Sequence, residues 1–401
     1  MQKNHSVVIT GIGLISSLGE GVEKHWELLN TSPLTPHIDA ENFAPYTVHA
    51  LAEVDWSQQI PKRSDQRQME TWQRLGTYAA GLALEDAGVK GDLDVTSSMD
   101  MIVGAGGGER DINVDVEILN KGRTTKDRGV MLNETLSTEL RPTLFLAQLS
   151  NLLAGNISIV HKVIGSSRSF MGEEGSGLAA FMVAIARIRS GQSTHALVGG
   201  SYNAQHYDML LGQGLGQLLK QDGWSPVWQR ENCQGGGLIT GSGGVFLVLE
   251  SLEYAKKRGA KIYAVISDFV ADQTNRKKMP LEKTLETMLE HLHGADVGTG
   301  NSVENSLVVS GASGVKGITG TEKAFWDKSK FAYRGVSTLF GHWREAQFPL
   351  ALALGAMAIK KKQAFKTLSN DEKPVNNNID SVVVSTVGAT RAEGMARLIA
   401  G

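Results

Sequence analysis

Short runs of β-branched residues recur along the chain and alternate with longer stretches rich in alanine, leucine and glycine. The runs lie at residues 7–10, 101–103, 196–198, 307–309 and 382–384, and most of them lead into glycine. They show no clean alternation of apolar and polar residues, which is typical of strands buried on both faces. The pattern therefore predicts an α/β fold in which helices cover both sides of the sheet.

Two of the intervening stretches, residues 178–186 and 349–359, are apolar all round and have mostly small side chains. This composition predicts buried helices whose backbones pack closely against their neighbours. Each stretch follows a turn that contains glycine, at residues 172–177 and at Gly341-His342. We therefore predict two related halves, residues 1–252 and 253–401, each built around one buried helix and sharing one interface.

Composition excludes several classes of protein. Of the 401 residues 41% are hydrophobic and 20% charged, which predicts a folded globule. The formal net charge of −2 gives no overall attraction to nucleic acid. Cys233 is the single cysteine, which excludes an intrachain disulfide and fits a reducing compartment. With no cleavable signal pattern and no apolar run of about 20 residues, we expect a cytoplasmic protein.

No motif in the chain predicts a metal or a cofactor. The histidines lack the spacing of metal ligands, and the glycine-rich segment 104–108 lacks both the lysine of a phosphate-binding loop and the spacing of a dinucleotide site. The polar region 111–150 has little strand pattern, so we expect an irregular stretch that is functional or lies at an interface.

Glu174 occupies the most informative position. It lies in the glycine-rich turn that precedes the first buried helix. A helix N-terminus presents free N–H groups and a positive dipole end, so nucleophiles and developing oxyanions are often placed there. Helix capping alone would also select an acidic residue at such a position.

Several longer segments resemble β-ketoacyl-carrier-protein synthases. They are VVITGIGLISSLGEGVEKHWELL, METWQRLGTYAAGLALEDAG, IRSGQSTHALVGGSYN and VFLVLESLEYAKKRGAKIYAVISDF, in the family's order and spacing. The resemblance implies a thiolase-like fold, with duplicated βαβαβαββ halves in a five-layer αβαβα arrangement. That implication agrees with the two halves inferred from the buried helices.

The resemblance also implies that the nucleophile is missing. Counting back without a gap from the glycines at 191, 199 and 200 places Glu174 where the family has its catalytic cysteine. Ketosynthases need a thiolate there to carry the acyl chain as a thioester. A carboxylate is a poor replacement, because an acyl anhydride is hydrolytically fragile. Cys233 cannot substitute for it by position.

Of the family's two catalytic histidines, the resemblance implies that one remains. The first corresponds to Gly311, or to Ala312 if the loop length differs, and neither is a histidine. The second corresponds to His342, ahead of the second buried helix, although an isolated histidine there is often structural. Ser337 stands where the family has a lysine.

A degenerate ketosynthase of this kind resembles the chain-length factor of type II polyketide and aryl-polyene systems. The resemblance implies a heterodimer with a catalytic ketosynthase, service by an acyl carrier protein, and no condensation by this chain alone. It places Gly107, Glu109, Arg110, Ile112 and Phe145 near the acyl tunnel. Simple packing or solvation of that region would explain these residues equally well.

Two other functions remain open at this stage. Glu174 and His342 could decarboxylate a malonyl group or retain some acyltransferase activity, but an ionised carboxylate would repel the enolate formed. The chain could instead be a homodimer that binds an acyl group without chemistry. Lys62, Arg63 and Arg67 form a basic cluster suited to an acidic carrier protein, or an ordinary solvated face.

Overall fold

The computed structural model describes residues 5–32, 35–273, 275–293, 305–375 and 378–401. The strands are β1 (Val7–Ser16), β2 (Gly19–Glu20), β3 (Ile38–Asp39), β4 (Val48–His49), β5 (Asp100–Ala105), β6 (Ser167–Met171), β7 (His195–Tyr202), β8 (Thr240–Gly241), β9 (Gly243–Ser251), β10 (Ala264–Asp272), β11 (Ser306–Ser310), β12 (Ala332–Gly335), β13 (Ser381–Val387) and β14 (Glu393–Ile399).

The helices are α1 (Val22–Leu29), α2 (Arg63–Arg67), α3 (Thr71–Asp86), α4 (Leu93–Thr96), α5 (Ile112–Thr124), α6 (Arg128–Thr138), α7 (Pro142–Ala147), α8 (Leu152–His161), α9 (Glu174–Arg189), α10 (Tyr207–Leu215), α11 (Leu252–Lys257), α12 (Leu281–His293), α13 (Ile318–Ser329), α14 (Ser337–Phe340) and α15 (Gln347–Lys361). None of them, within the described ranges, is long and apolar enough to cross a membrane.

The main sheet repeats one strand order twice. The first half runs β1-β9-β7-β5-β6 and the second runs β10-β14-β13-β11-β12. In both halves the first two pairings are antiparallel and the last two are parallel. An antiparallel pairing between β1 and β10 joins the halves. The predicted duplication is therefore confirmed, whereas the chain boundary at residue 252 stays a prediction.

The two predicted buried helices lie at the centre. α9 packs on β5 and β7, α15 packs on β13 and β11, and the two helices contact each other. The rings of Phe181 and Phe348 meet edge-on between them, 5.6 Å apart. α3 and α8 cover the outer face of the first half, and α12 and α13 cover that of the second. This gives the expected five layers.

Close packing explains the glycines of the first strand. A Cβ at Gly13 would lie 1.9 Å from the carbonyl oxygen of Ala79, and one at Gly11 would lie 2.4 Å from that of Ala83. Both oxygens belong to α3, so α3 reaches its place on β1 only because these two positions lack side chains.

The polar region 111–150 is helical, so the expectation of an irregular stretch was wrong. Asp111 accepts a hydrogen bond from the N–H of Val114, and Asp127 accepts one from Val130, which caps α5 and α6. Pro142 lies in the first turn of α7. The helices escaped detection because their apolar residues, among them Leu119 and Val130, face outward and give no clear core-facing stripe.

Candidate functional site

Glu174 begins α9, immediately after the turn that leaves β6. Its side chain is only 1% exposed. Burial of a carboxylate is costly unless hydrogen bonds and opposite charge compensate it. The helix N-terminus supplies part of that compensation through its positive dipole end.

Two loops of the second half supply the remaining compensation for the buried carboxylate of Glu174. Oε1 of Glu174 accepts a hydrogen bond from Nε2 of His342 at 2.7 Å and from the backbone N–H of Ala389 at 2.9 Å. His342 lies between α14 and α15, and Ala389 follows β13. We call this arrangement the Glu174 clasp, because it joins one point of the first half to two points of the second.

The small sheet of β3, β4 and β8 fixes the backbone of the clasp's histidine. The N–H of His342 donates to the carbonyl of Ile239, and its carbonyl accepts from the N–H of Gly241. Gly241 in turn pairs with His49 of β4. The imidazole is therefore held in place from its backbone as well as from its side chain.

The clasp keeps the buried carboxylate ionised. Burial raises the pKa of Glu174, but the hydrogen bond and charge of His342, together with the Ala389 N–H, outweigh burial and hold it below its ordinary value. Among the described residues, Oε2 of Glu174 and Nδ1 of His342 find no hydrogen-bond partner.

A second layer of charge surrounds the clasp. Oε2 of Glu173 accepts a hydrogen bond from the hydroxyl of Thr390 at 2.7 Å, and its Oε1 lies 3.6 Å from the guanidinium of Arg344. Arg344 has a φ of +44°, and its guanidinium lies 6.0 Å from the ring centroid of Tyr202. Glu345 is buried beside it, and burial raises the pKa of its carboxyl to about 7.

The clasp residues, Glu173 and Arg344 line a cavity of about 250 Å³. Its walls contain the carboxylates of Glu173, Glu174 and Asp208. The guanidinium of Arg344 and the imidazole of His342 also line it. Carboxylates therefore outnumber the fixed positive charges, and the cavity disfavours an anionic group.

Gln347, which the sequence did not single out, lies beside both Gly311 and Ser337. These are the two positions that the resemblance assigns to the family's first histidine and lysine. Nε2 of Gln347 donates to Oγ of Ser337 at 3.0 Å, and Oε1 of Gln347 accepts from the N–H of Trp343 at 2.7 Å. Ser337 donates onward to the carbonyl of Ala312 at 2.6 Å. A Cβ at Gly311 would lie 3.0 Å from Cγ of Gln347 and 2.8 Å from the Thr386 hydroxyl.

The predicted tunnel residues fall into three places. Gly107 and Glu109 line a small cavity against Arg344 and Glu345, and Arg110 and Ile112 line a large groove. Phe145 lies on α7, 54% exposed, and lines neither.

Glu109 has a clear structural role as well. Its carboxylate accepts hydrogen bonds from the N–H of Trp72 at 2.9 Å and from the side-chain amide of Asn203 at 2.8 Å. It thereby caps the start of α3. The tunnel role of all five residues stays a prediction.

The groove is apolar and measures about 750 Å³. It lies between α5 and α10, and the segment before β4 closes one side. Its lining consists mainly of aliphatic and aromatic side chains: Phe43, Tyr46, Ile112, Val116, Ile118, Leu119, Tyr207, Leu210, Leu211 and Leu215. Arg110, paired with Asp115 at 2.6 Å, and Asp208 provide its polar border.

Two other predicted features lie apart from the clasp. Cys233 is partly buried in the loop before β8, where burial raises the pKa of its thiol, and it lines neither the cavity nor the groove. Lys62, Arg63 and Arg67 are exposed at and within α2. Within the described residues no cluster of histidine, cysteine and carboxylate side chains is arranged to hold a metal ion.

Replacing Glu174 by alanine should cost about 3 kcal/mol of unfolding free energy, because it leaves buried donors at His342 and Ala389 without an acceptor. Glu174→Gln keeps an acceptor oxygen and should cost less. Urea denaturation checks both. Because the folded pKa of Glu174 is lowered, its contribution is complete above the ordinary pKa and declines as the pH falls through the folded value. An alanine variant as stable as the natural chain contradicts the clasp.

Glu345 should make the protein less stable as the pH rises. Its folded pKa of about 7 lies above the ordinary 4.5, so the folded state binds more protons across that interval. Between about pH 5.5 and pH 8 the natural chain should lose about 2 kcal/mol relative to Glu345→Gln. Parallel urea titrations measure this difference. Equal pH dependence of the two proteins would contradict the raised pKa.

Comparison with known proteins agrees with this architecture. Residues 4–255 match the family model described as Beta-ketoacyl synthase, N-terminal domain. The chain is 27% identical over 272 residues to 3-oxoacyl-(acyl-carrier-protein) synthase 2 of Vibrio cholerae, a match that covers 66% of this chain and 62% of that relative. The chain thus spans about three fifths of the length of that relative.

Solved structures share the whole fold. A chain described as the ishigamide ketosynthase/chain length factor superposes with a TM-score of 0.76 at 21% identity, over 99% of this chain and 100% of that one. A second, from a type II PKS acyl-carrier protein in complex with its ketosynthase, gives 0.72 at 18% identity, over 99% and 100%. The chain has the thiolase-like fold predicted from its sequence and belongs to the β-ketoacyl synthase family.

Proposed function

We propose that this chain is a non-condensing, chain-length-factor-like subunit that pairs with a cysteine-bearing β-ketoacyl-carrier-protein synthase. In that complex it shapes the space for the growing acyl chain. The Glu174 clasp carries the proposal. Oε1 of Glu174, which we assign to the position of the family's nucleophilic sulfur, is bound on one side by His342 and on the other by Ala389.

Chemistry at this position opposes condensation. An ionised carboxylate with two strong hydrogen bonds is a weak nucleophile, and its acyl product would be an anhydride rather than a thioester. Gln347 occupies the space next to Gly311, and Ser337 is committed to Ala312 and Gln347. The site therefore also lacks room for the first histidine.

The edge of the sheet supports a protein partner. β6 is the outermost strand of the first half, and Met171 at its end is 75% exposed. Exposed apolar side chains of α7, α8 and α9 and of the loops beside them extend this surface: Phe145, Leu146, Leu149, Ile159, Ile164 and Met182. An unpaired strand edge flanked by apolar side chains favours pairing with another chain.

The apolar groove supports the role in shaping an acyl chain. Arg110 and Ile112, two of the predicted tunnel residues, lie on its wall beside the aliphatic residues of α5 and α10. Its volume of about 750 Å³ is ample for a long hydrocarbon chain. A carrier protein would deliver that chain, and the exposed cluster of Lys62, Arg63 and Arg67 is the part of the surface we assign to it.

Malonyl decarboxylation is the weaker alternative. The reaction would bring one carboxylate and then an enolate into a cavity already lined by Glu173, Glu174 and Asp208. Because the pKa of Glu174 is lowered, its carboxylate stays charged and repels both anions. Carbon dioxide release from a malonyl carrier that His342→Ala abolishes would reverse this preference.

The chain should co-purify with a cysteine-bearing ketosynthase from its own organism when the two are co-expressed. Met171→Lys places a charge at the end of β6 and should reduce the recovered partner at least tenfold. Ile38→Lys on β3, an exposed position in the small separate sheet, is the matched control. Size-exclusion chromatography with mass analysis gives the stoichiometry. A well-behaved homodimer that ignores every such ketosynthase contradicts the proposal.

Restoring the nucleophile should not restore condensation. We expect Glu174→Cys alone to remain inactive, because Gly311 supplies no imidazole. The triple variant with Gly311→His and Ser337→Lys should also remain inactive, because Gln347 and Thr386 crowd the added imidazole. The assay measures malonyl incorporation in a complex whose partner carries Cys→Ala at its own nucleophile. The complex with the intact partner is the positive control. Condensation by the Glu174→Cys variant would show that the site is only one residue from catalysis.

A further inference from the structure

Helix α10 separates the cavity beside the clasp from the apolar groove. Met209, Gly212 and Gln213 of this helix line the cavity. Other residues of the same helix, including Leu211 and Leu215, line the groove. Asp208 lines both spaces. The cavity and the groove are therefore separated by the thickness of one helix, α10.

This helix has little intrinsic stability. Its nine residues include Gly212 and Gly214, and glycine in a helix interior is less favourable than alanine. Leu211 and Leu215 are mostly exposed, and α10 packs only lightly on every other named helix and strand. Segments with few buried contacts open at low free energy.

Charged contacts hold the N-terminal end of α10. Nδ1 of His206 and Oδ1 of Asp208 form a close ion pair within the start of the helix. Oδ2 of Asp208 in turn accepts a hydrogen bond from the backbone N–H of Arg110 at 3.0 Å. Arg110 precedes α5, so the contact ties α10 to the opposite wall of the groove. At the other end of the helix, Gln213 donates to the hydroxyl of Tyr202 at 3.1 Å.

We propose that α10 is a movable partition and that its displacement joins the cavity to the groove. The latch at its N-terminal end is the hydrogen bond from the Arg110 N–H to Asp208, together with the attraction of protonated His206 to Glu109 and Glu70. The opened passage would run from Glu174 and His342 to the apolar lining. This inference concerns the chain itself and does not depend on the function proposed above.

The latch is sensitive to pH because His206 is surrounded by carboxylates. Asp208 faces it from α10, Glu109 from the segment before α5, and Glu70 from the start of α3. Burial lowers the pKa of His206, but these three carboxylates together raise it above its ordinary value. The latch is thus at full strength at pH values below the ordinary pKa of histidine, and it weakens as the pH rises through the raised pKa of His206.

Hydrogen–deuterium exchange on the full chain tests the partition. After correction for intrinsic exchange, α10 amides should exchange at least tenfold faster at about pH 8.5 than at about pH 6, while α3 changes little. His206→Gln should make α10 exchange fast at both pH values. Gly212→Ala should slow exchange at both, because its added Cβ meets no atom within 4 Å.

Two results would overturn the proposal. One is α10 protection equal to that of α3 at both pH values and indifferent to His206→Gln. The other is a pH effect of the same size in α3 and α10, which would report global stability instead of local opening. The unchanged protection of α3 in each variant also shows that the protein remains folded.

Discussion

One buried carboxylate joins the two halves of this molecule at their centre. Glu174 begins the central helix of the first half, and its oxygen binds His342 and Ala389 from the second. An unpaired charge in this position would cost several kcal/mol, so the carboxylate, the imidazole and the backbone N–H stabilise one another. The loops before α15 and after β13 are thereby fixed against the start of α9.

In the function that we propose, the same clasp prevents this site from carrying out condensation. The groups that would surround a reacting acyl carbon are committed to protein contacts: the start of α9, the Ala389 N–H and the imidazole of His342. Gln347, Ser337 and Trp343 form a second closed set of hydrogen bonds next to Gly311. Our proposal therefore assigns the missing thiolate and the missing first histidine to one rearranged core, and a single reversion should not restore condensation.

Much of the fold follows from local sequence. The β-branched runs become the inner strands of both halves, and the small-residue stretches become α9 and α15, because burial on all sides leaves an unmistakable apolar pattern. The helices of region 111–150 escaped prediction because their apolar residues face outward. The resemblance to β-ketoacyl-carrier-protein synthases singled out Glu174 and His342, and the structure brings these two side chains within hydrogen-bonding distance.

The rest of the site depends on contacts between residues distant in the chain. Gln347 reads as an ordinary polar residue at a helix start, and only the fold brings it to Gly311. The sequence around Glu345 does not indicate that this residue lies in the protein interior, where burial raises the pKa of its carboxyl to about 7. Glu109, assigned to a tunnel by position, also caps α3. Such roles arise from burial and three-dimensional proximity, which periodicity does not encode.

We propose that this chain, in complex with a ketosynthase, sets the product length through its groove and contributes no nucleophile of its own. The product length of the reconstituted complex containing Ile112→Trp, measured by mass spectrometry, tests this proposal, with the exposed Ile38→Trp as control. We expect a shorter product from Ile112→Trp alone, with acylation of the partner's cysteine unchanged. An unchanged product length, with acyl groups recovered on this chain, would contradict the account.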